Sequence, residues 1–139
     1  MDRYLGRYSP QLYAILRIVS GLMFALHGTQ KLFGFPGDKP SAAGTLMMAG
    51  GIIEVVTGLL LALGLFASSA AFLASGEMAV AYFKAHFAVG NPIPNLNRGE
   101  LAVVYCFLFL YVAAHGAGIW SIDDARRRGV SASTGATRP

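Results

Sequence analysis

Two stretches of this chain, Val55–Gly76 and Leu101–Ile122, contain no Asp, Glu, Lys or Arg. Each exceeds the about 20 apolar residues that a helix needs to cross the hydrocarbon core of a bilayer. A soluble fold of this length would leave about 30% of its unfolded-chain surface in water and would need polar side chains to cover it. Here 55% of the 139 residues are hydrophobic and only 13% charged, with a mean hydropathy of +0.53. An ordinary soluble domain carries about 25% charged residues. Length and composition together predict one domain, embedded in a membrane.

The first uncharged run is too long for one helix and has Gly64-Leu65-Phe66-Ala67-Ser68-Ser69 at its middle, which reads as a tight turn. It divides into helices at about 45–66 and 69–87. A further helix at about 10–33 is apolar except for Arg17, His27 and Lys31, and a last one lies at about 101–120. The predicted fold is all-α, a four-transmembrane-helix antiparallel bundle over residues 1–125. Residues 126–139 read as a basic, disordered cytoplasmic tail, since from Gly129 they are mostly Ser, Thr, Gly and Ala. Phe35–Pro40 and Gly90–Asn95 are the intervening loops, with Pro, Gly and Asn supplying turn chemistry. A cleaved leader is disfavoured, because Arg17 interrupts the first apolar segment.

The net charge of +4 does not read as a nucleic-acid face, because the bases sit at the ends of apolar runs. Arg3, Arg7 and Arg126–Arg128 share one side, whereas Lys31, Lys39, Lys84 and Arg98 share the other. The positive-inside rule then places both termini in the cytoplasm. The single cysteine, Cys106, lies in an apolar stretch and reads as a small hydrophobe.

Ionisable groups at membrane depth are costly and normally face the bundle interior. At 1.5 Å per residue, Arg17, Glu77 and Glu54 fall roughly 9, 12 and 16 Å from the cytoplasmic edge. The expectation is a buried ion-pair group in which Arg17 meets Glu77, with Glu54 beside them. His27, Lys31, His86 and Glu100 form an outer layer at roughly 24–30 Å. His27 and Lys31, four apart, share a helix face. The candidate ligand-binding residues are therefore His27, Lys31, Glu54, Glu77, His86 and Glu100. Gly50, Glu54 and Gly58 recur every fourth residue, a small-residue packing face that carries a carboxylate inward. No His-Glu-x-x-His or similar spacing points to a metal, and no catalytic residue is assigned.

Several short motifs stand in order along the chain. They are His27-Gly28-Thr29-Gln30-Lys31-Leu32-Phe33, Gly50-Gly51 with Glu54 and Gly58, Met78-Ala79-Val80-Ala81-Tyr82 with His86, Asn97-Arg98-Gly99-Glu100, and Gly116-Ala117-Gly118-Ile119-Trp120-Ser121-Ile122-Asp123. From about Arg17 to Asp123 the chain resembles the DoxX family of small four-helix bacterial membrane proteins. That resemblance implies an inner-membrane protein associated with redox enzymes and with catechol, quinone or thiol stress. An oxidoreductase role would rest on the family's labels alone.

The leading expectation is an accessory protein of a redox or stress-response system that binds a quinone-like molecule. His27 and Lys31 would hydrogen-bond a quinone carbonyl, with Glu54 or Glu100 handling the proton. Quinone is the favoured ligand and haem a disfavoured one, because His86 points away from the face that Glu77 and Lys84, seven apart, share on its helix, and His115 lies at the other end of the bundle. The expected partners are the lipid bilayer, redox-enzyme subunits and a second copy of the chain, with no nucleic acid. A structural or assembly partner without ligand, and a transporter or channel subunit, are the alternatives.

Overall fold

The computed structural model describes residues 2–37, 39–40 and 44–135. Among them all regular structure is helical. A short α1 (Asp2–Leu5) and one 3-10 turn lead into α2 (Ser9–Phe33), followed by α3 (Thr45–Leu63), α4 (Ala67–Ala81), α5 (Glu100–His115) and α6 (Ile122–Gly135). Beyond Ala81 the α4 rod continues as a π-turn over Tyr82–His86 and a 3-10 turn over Phe87–Val89.

Glycines end these helices. Gly34, Gly64 and Gly90 all have positive φ, of 78°, 65° and 98°, a conformation that closes a helix at little cost only without a Cβ. Gly64 therefore stops α3 at Leu63, three residues before the expected boundary at 66. The next helix starts at Ala67 rather than 69, because both carboxylate oxygens of Asp123 accept hydrogen bonds from the backbone N–H groups of Phe66 and Ala67. The last bundle helix also ends early, at His115 rather than about 120, because Gly116 (φ 88°) and Gly118 (φ 65°) turn the chain under the bundle. The expected disordered tail is a helix through Gly135; residues 136–139 lie outside the described residues. Asp123 and Asp124 in its first turn suit the helix dipole, and Arg128 pairs with Asp124 at 2.8 Å, one turn away.

Helices α2 to α5 pack antiparallel in sequence order. The α2–α3 contact is a seam of glycines seven residues apart on each side, Gly21 and Gly28 against Gly58 and Gly51. A Cβ on Gly28 would stand 2.5 Å from the Gly51 carbonyl oxygen, and one on Gly58 2.6 Å from that of Gly21. The two backbones thus lie closer than any larger residue permits. The expected every-fourth-residue face is split, since Gly58 meets α2 whereas Gly50 faces Glu77 on α4. Ala70, Ala71 and Ala74 keep α4 close to the centre. That centre is filled by Phe24 of α2 and by Tyr105 and Phe109 of α5, whose rings meet at 4.8–5.4 Å.

The outside of the bundle is apolar and part of its inside is charged. Val19, Met23, Phe72, Val104 and Phe107 are exposed, while Arg17 and Glu54 are fully buried. This inverts the distribution that water imposes on a soluble protein. Two segments, Gly6–Phe33 and Thr45–Leu63, are long and apolar enough to cross a membrane; α5 is a shorter apolar helix.

Candidate functional site

The glycine seam brings the end of α2 nearest the 34–44 loop against the middle of α3. Gly51 lies under the Cβ of Lys31, with room for the lysine stem to run over it. The ammonium reaches Glu54, where Lys31 Nζ donates to Glu54 Oε1 at 2.7 Å. Glu54 is fully enclosed, whereas the Lys31 side chain keeps 16% of its surface.

Glu77 approaches from α4, with Oε1 3.1 Å from where a Cβ on Gly50 would be. It lies within electrostatic reach of both Glu54 and Lys31. Tyr105 of α5 in turn lies within reach of Glu54. Helices α2, α3 and α4 thus contribute Lys31, Glu54 and Glu77 to a common locus, with Tyr105 of α5 within electrostatic range of Glu54. Three ionisable groups leave it with one lysine against two carboxyls. Glu54 Oε2 and Glu77 Oε2 are both buried and have no hydrogen-bond partner among the described residues. These two buried acceptors retain capacity for groups that donate hydrogen bonds.

The expected partner of the carboxylates, Arg17, is elsewhere. Its guanidinium donates to the carbonyl oxygens of Leu61, of Ala62 at 3.1 Å, of Trp120 at 2.8 Å and of Ile119 at 3.4 Å. Its position on α2 places it beside the last turn of α3, where the regular i→i−4 ladder runs out and the Leu61 carbonyl keeps only the 3.1 Å bond from the Gly64 N–H. The four terminal N–H donors of a planar guanidinium match that array better than they match one carboxylate, while Nε is buried without a partner among the described residues. The Arg17–Glu77 pairing is therefore corrected to Lys31–Glu54, and Arg17 becomes a cap.

The other candidates separate in the same way. His27 is exposed on the outer side of α2 and does not join Lys31 at the cluster, since the seam turns Gly28, not His27, toward α3. His86 is the last residue of the π-turn, with Nδ1 3.1 Å from the Asn97 carbonyl oxygen. Glu100 is exposed in the first turn of α5, and the ion pair of Lys31 is to Glu54 instead. Of the six candidate ligand residues the structure unites Lys31, Glu54 and Glu77.

Two contributors escaped the sequence reading. Tyr105 looks like any core aromatic until the bundle closes. Asp123 caps α4 across 56 positions of sequence, and its only local sign is a carboxylate directly after an apolar run.

The DoxX family model matches residues 12–87, just over half of the chain. An uncharacterised protein of Haemophilus influenzae is similar over most of both chains, 45% identical across 126 residues that cover 86% of this chain and 94% of that protein. The chain belongs to the DoxX family. No solved structure matches it. DoxX proteins are membrane-associated, in keeping with the apolar exterior. Lys31, Glu54, Glu77 and Arg17 all fall inside the DoxX segment; Tyr105 and Asp123 lie beyond it.

Proposed function

We propose that this DoxX protein is a four-span protein of the bacterial inner membrane that binds a quinone-like molecule, in its quinol form, at the Lys31–Glu54–Glu77 cluster. It would serve as an accessory of a redox or stress-response system, with enzyme subunits or a second copy as partners. The observation that carries the binding site is the pair of buried, unpartnered oxygens, Glu54 Oε2 and Glu77 Oε2. Leaving such an acceptor unsatisfied costs about 1–3 kcal/mol. A quinol supplies two O–H donors on a flat apolar ring and reaches the site from the bilayer. Lys31 retains two N–H donors beyond the one given to Glu54, enough for a carbonyl oxygen of the oxidised ring.

Four crossings are supported by the shared apolar exterior of α2 to α5. Helix α5 is about 24 Å long at 1.5 Å per residue, short of the about 30 Å core, which local thinning or the Gly116–Ser121 turn would accommodate. The arginines at 7 and 126–128 favour cytoplasmic termini.

The test is equilibrium dialysis of a short-chain quinol against the full-length protein in mild detergent. Glu54→Gln and Glu77→Gln should each weaken binding about tenfold, the difference between a charge-assisted and a neutral hydrogen bond. Folded variants that bind as tightly as the parent would overturn the assignment. A parent protein that binds no quinol would also overturn it and leave the cluster as a packing device, the structural-partner reading.

A further inference from the structure

At the opposite end of the bundle, where both termini lie, a cleft of about 500 Å³ opens between the start of α2, the end of α5 and α6. Its floor is aromatic. The Tyr13 and His115 rings lie against one another at a tilt of 32° with centroids 3.8 Å apart, and Tyr111 meets Tyr13 edge-on at 5.9 Å. Tyr13 spends its hydroxyl on the Gly116 carbonyl oxygen, so the floor is fixed in place. The rim carries Arg127 and, across the cleft, Ser9.

The charge of this rim is specific to one arginine. Of the three consecutive arginines on α6, Arg128 is paired with Asp124 at 2.8 Å and Arg126 lies over the Phe66 ring at 6.0 Å. Arg127 alone lines the cleft, and it has no ion pair among the described residues. Asp124 also lines the cleft, but its charge is taken up by Arg128. The remaining Asp123 is turned away and engaged at the start of α4.

We infer that this cleft is a binding site for the phosphate group of an anionic phospholipid. The guanidinium of Arg127 and the exposed His115 ring provide the donors, and Tyr111, Tyr13 and Ile119 form the apolar wall along which the glycerol backbone lies. Aromatic rings with polar tips suit the level of the headgroups, and basic pockets between helices there select anionic lipids. The inference rests on the membrane placement proposed above and is independent of the quinol site.

The experiment uses the full-length protein in nanodiscs of phosphatidylcholine doped with phosphatidylglycerol, with native mass spectrometry counting the phosphatidylglycerol retained. Arg127→Ala should lower retention about fivefold, the effect of about 1 kcal/mol per basic side chain at a membrane surface. Arg126→Ala removes the same charge from the same helix and should retain lipid like the parent. Equal losses in the two variants would mean diffuse attraction to the arginine run, and no loss in Arg127→Ala would mean no site; either overturns the inference. Inorganic phosphate added to phosphatidylcholine-only discs is the last arm. Phosphorus-31 line broadening there that disappears in Arg127→Ala would assign the cleft to free phosphate and overturn the lipid.

Discussion

Two fully buried charges, Arg17 and Glu54, sit within one bundle and are handled in opposite ways. Arg17 spreads its positive charge over four backbone carbonyls from two segments distant in sequence, and its donors are nearly used up. Glu54 has a single partner among the described residues, Lys31, and keeps one buried oxygen free, as does Glu77 within electrostatic range of it. Four of the five N–H donors engaged, with Nε left over among the described residues, make a rivet. Partial saturation makes a site, because the unspent hydrogen-bonding capacity is available to something that arrives later. The same contrast separates the two ends of the molecule. Near Arg17 the Gly116–Asp123 segment is tied to α2, α3 and α4 by Tyr13, Arg17 and Asp123. Around Lys31, among the described residues, one ion pair joins α2 to α3.

The most direct way to break this comparison is to remove the rivet. Arg17→Met would take the guanidinium away from the carbonyls of Ala62, Ile119 and Trp120, and leave that of Leu61 with the Gly64 N–H alone. A loss on the order of 3–5 kcal/mol is expected, from about 1–3 kcal/mol for each buried acceptor left unsatisfied. Arg17→Lys should not rescue it, since an ammonium cannot present donors in a planar fork to carbonyls on both sides. The measurement is the temperature at which the detergent-solubilised protein leaves the monodisperse peak on size exclusion. A variant as heat-resistant as the parent would show that Arg17 is no rivet.

A smaller effect is expected at the seam that sets the Lys31–Glu54 distance. Gly28→Ala puts a methyl 2.5 Å from the Gly51 carbonyl oxygen, and backbone cannot rotate out of the way as a side chain can. The helices must separate, at about 1–3 kcal/mol for an overpacked contact. Because the cluster is built across this seam, quinol affinity should fall together with the melting temperature. Gly76→Ala is the internal control, with nothing within 4 Å of its added Cβ. It should change neither readout, and a shift there equal to that of Gly28→Ala would refute the role given to the seam.

Much of the fold was legible in the sequence because uncharged runs have few physical outcomes. The four apolar helices of the bundle, their order and the turn at Gly64 follow from the positions of apolar runs and breakers, whereas α1 and α6 do not. What could not be read was azimuth, the direction each polar side chain takes around its helix axis. Depth along the axis suggested Arg17 with Glu77, since both lie toward the end that carries the termini. The actual pairing depends on which face of α2 meets α3, and that is set by Gly21 and Gly28 opposite Gly58 and Gly51. The alternative partners for Arg17 were also invisible, because backbone carbonyls at a helix end have no letter of their own in a sequence. Helix α6 was misread for a related reason: Ser, Thr and Gly argue for disorder by composition, whereas the acidic first turn and the Asp124–Arg128 pair support a helix locally.

The smallest predicted effect is the sharpest test of that azimuthal argument. His27 lies one turn from Lys31 on the same helix, and by spacing alone the two share a face. In the folded bundle the turn between them is divided. Gly28 presses on Gly51 and Val55, Lys31 passes over Gly51 toward Glu54, and His27 remains exposed on the far side of the contact. His27→Leu should therefore alter stability by no more than about 0.5 kcal/mol, the usual range for a surface change away from any buried network. Its quinol affinity should match that of the parent in the same dialysis that detects Glu54→Gln. A tenfold loss in His27→Leu would rotate α2 by about one residue relative to α3, and with it the whole assignment of the cluster.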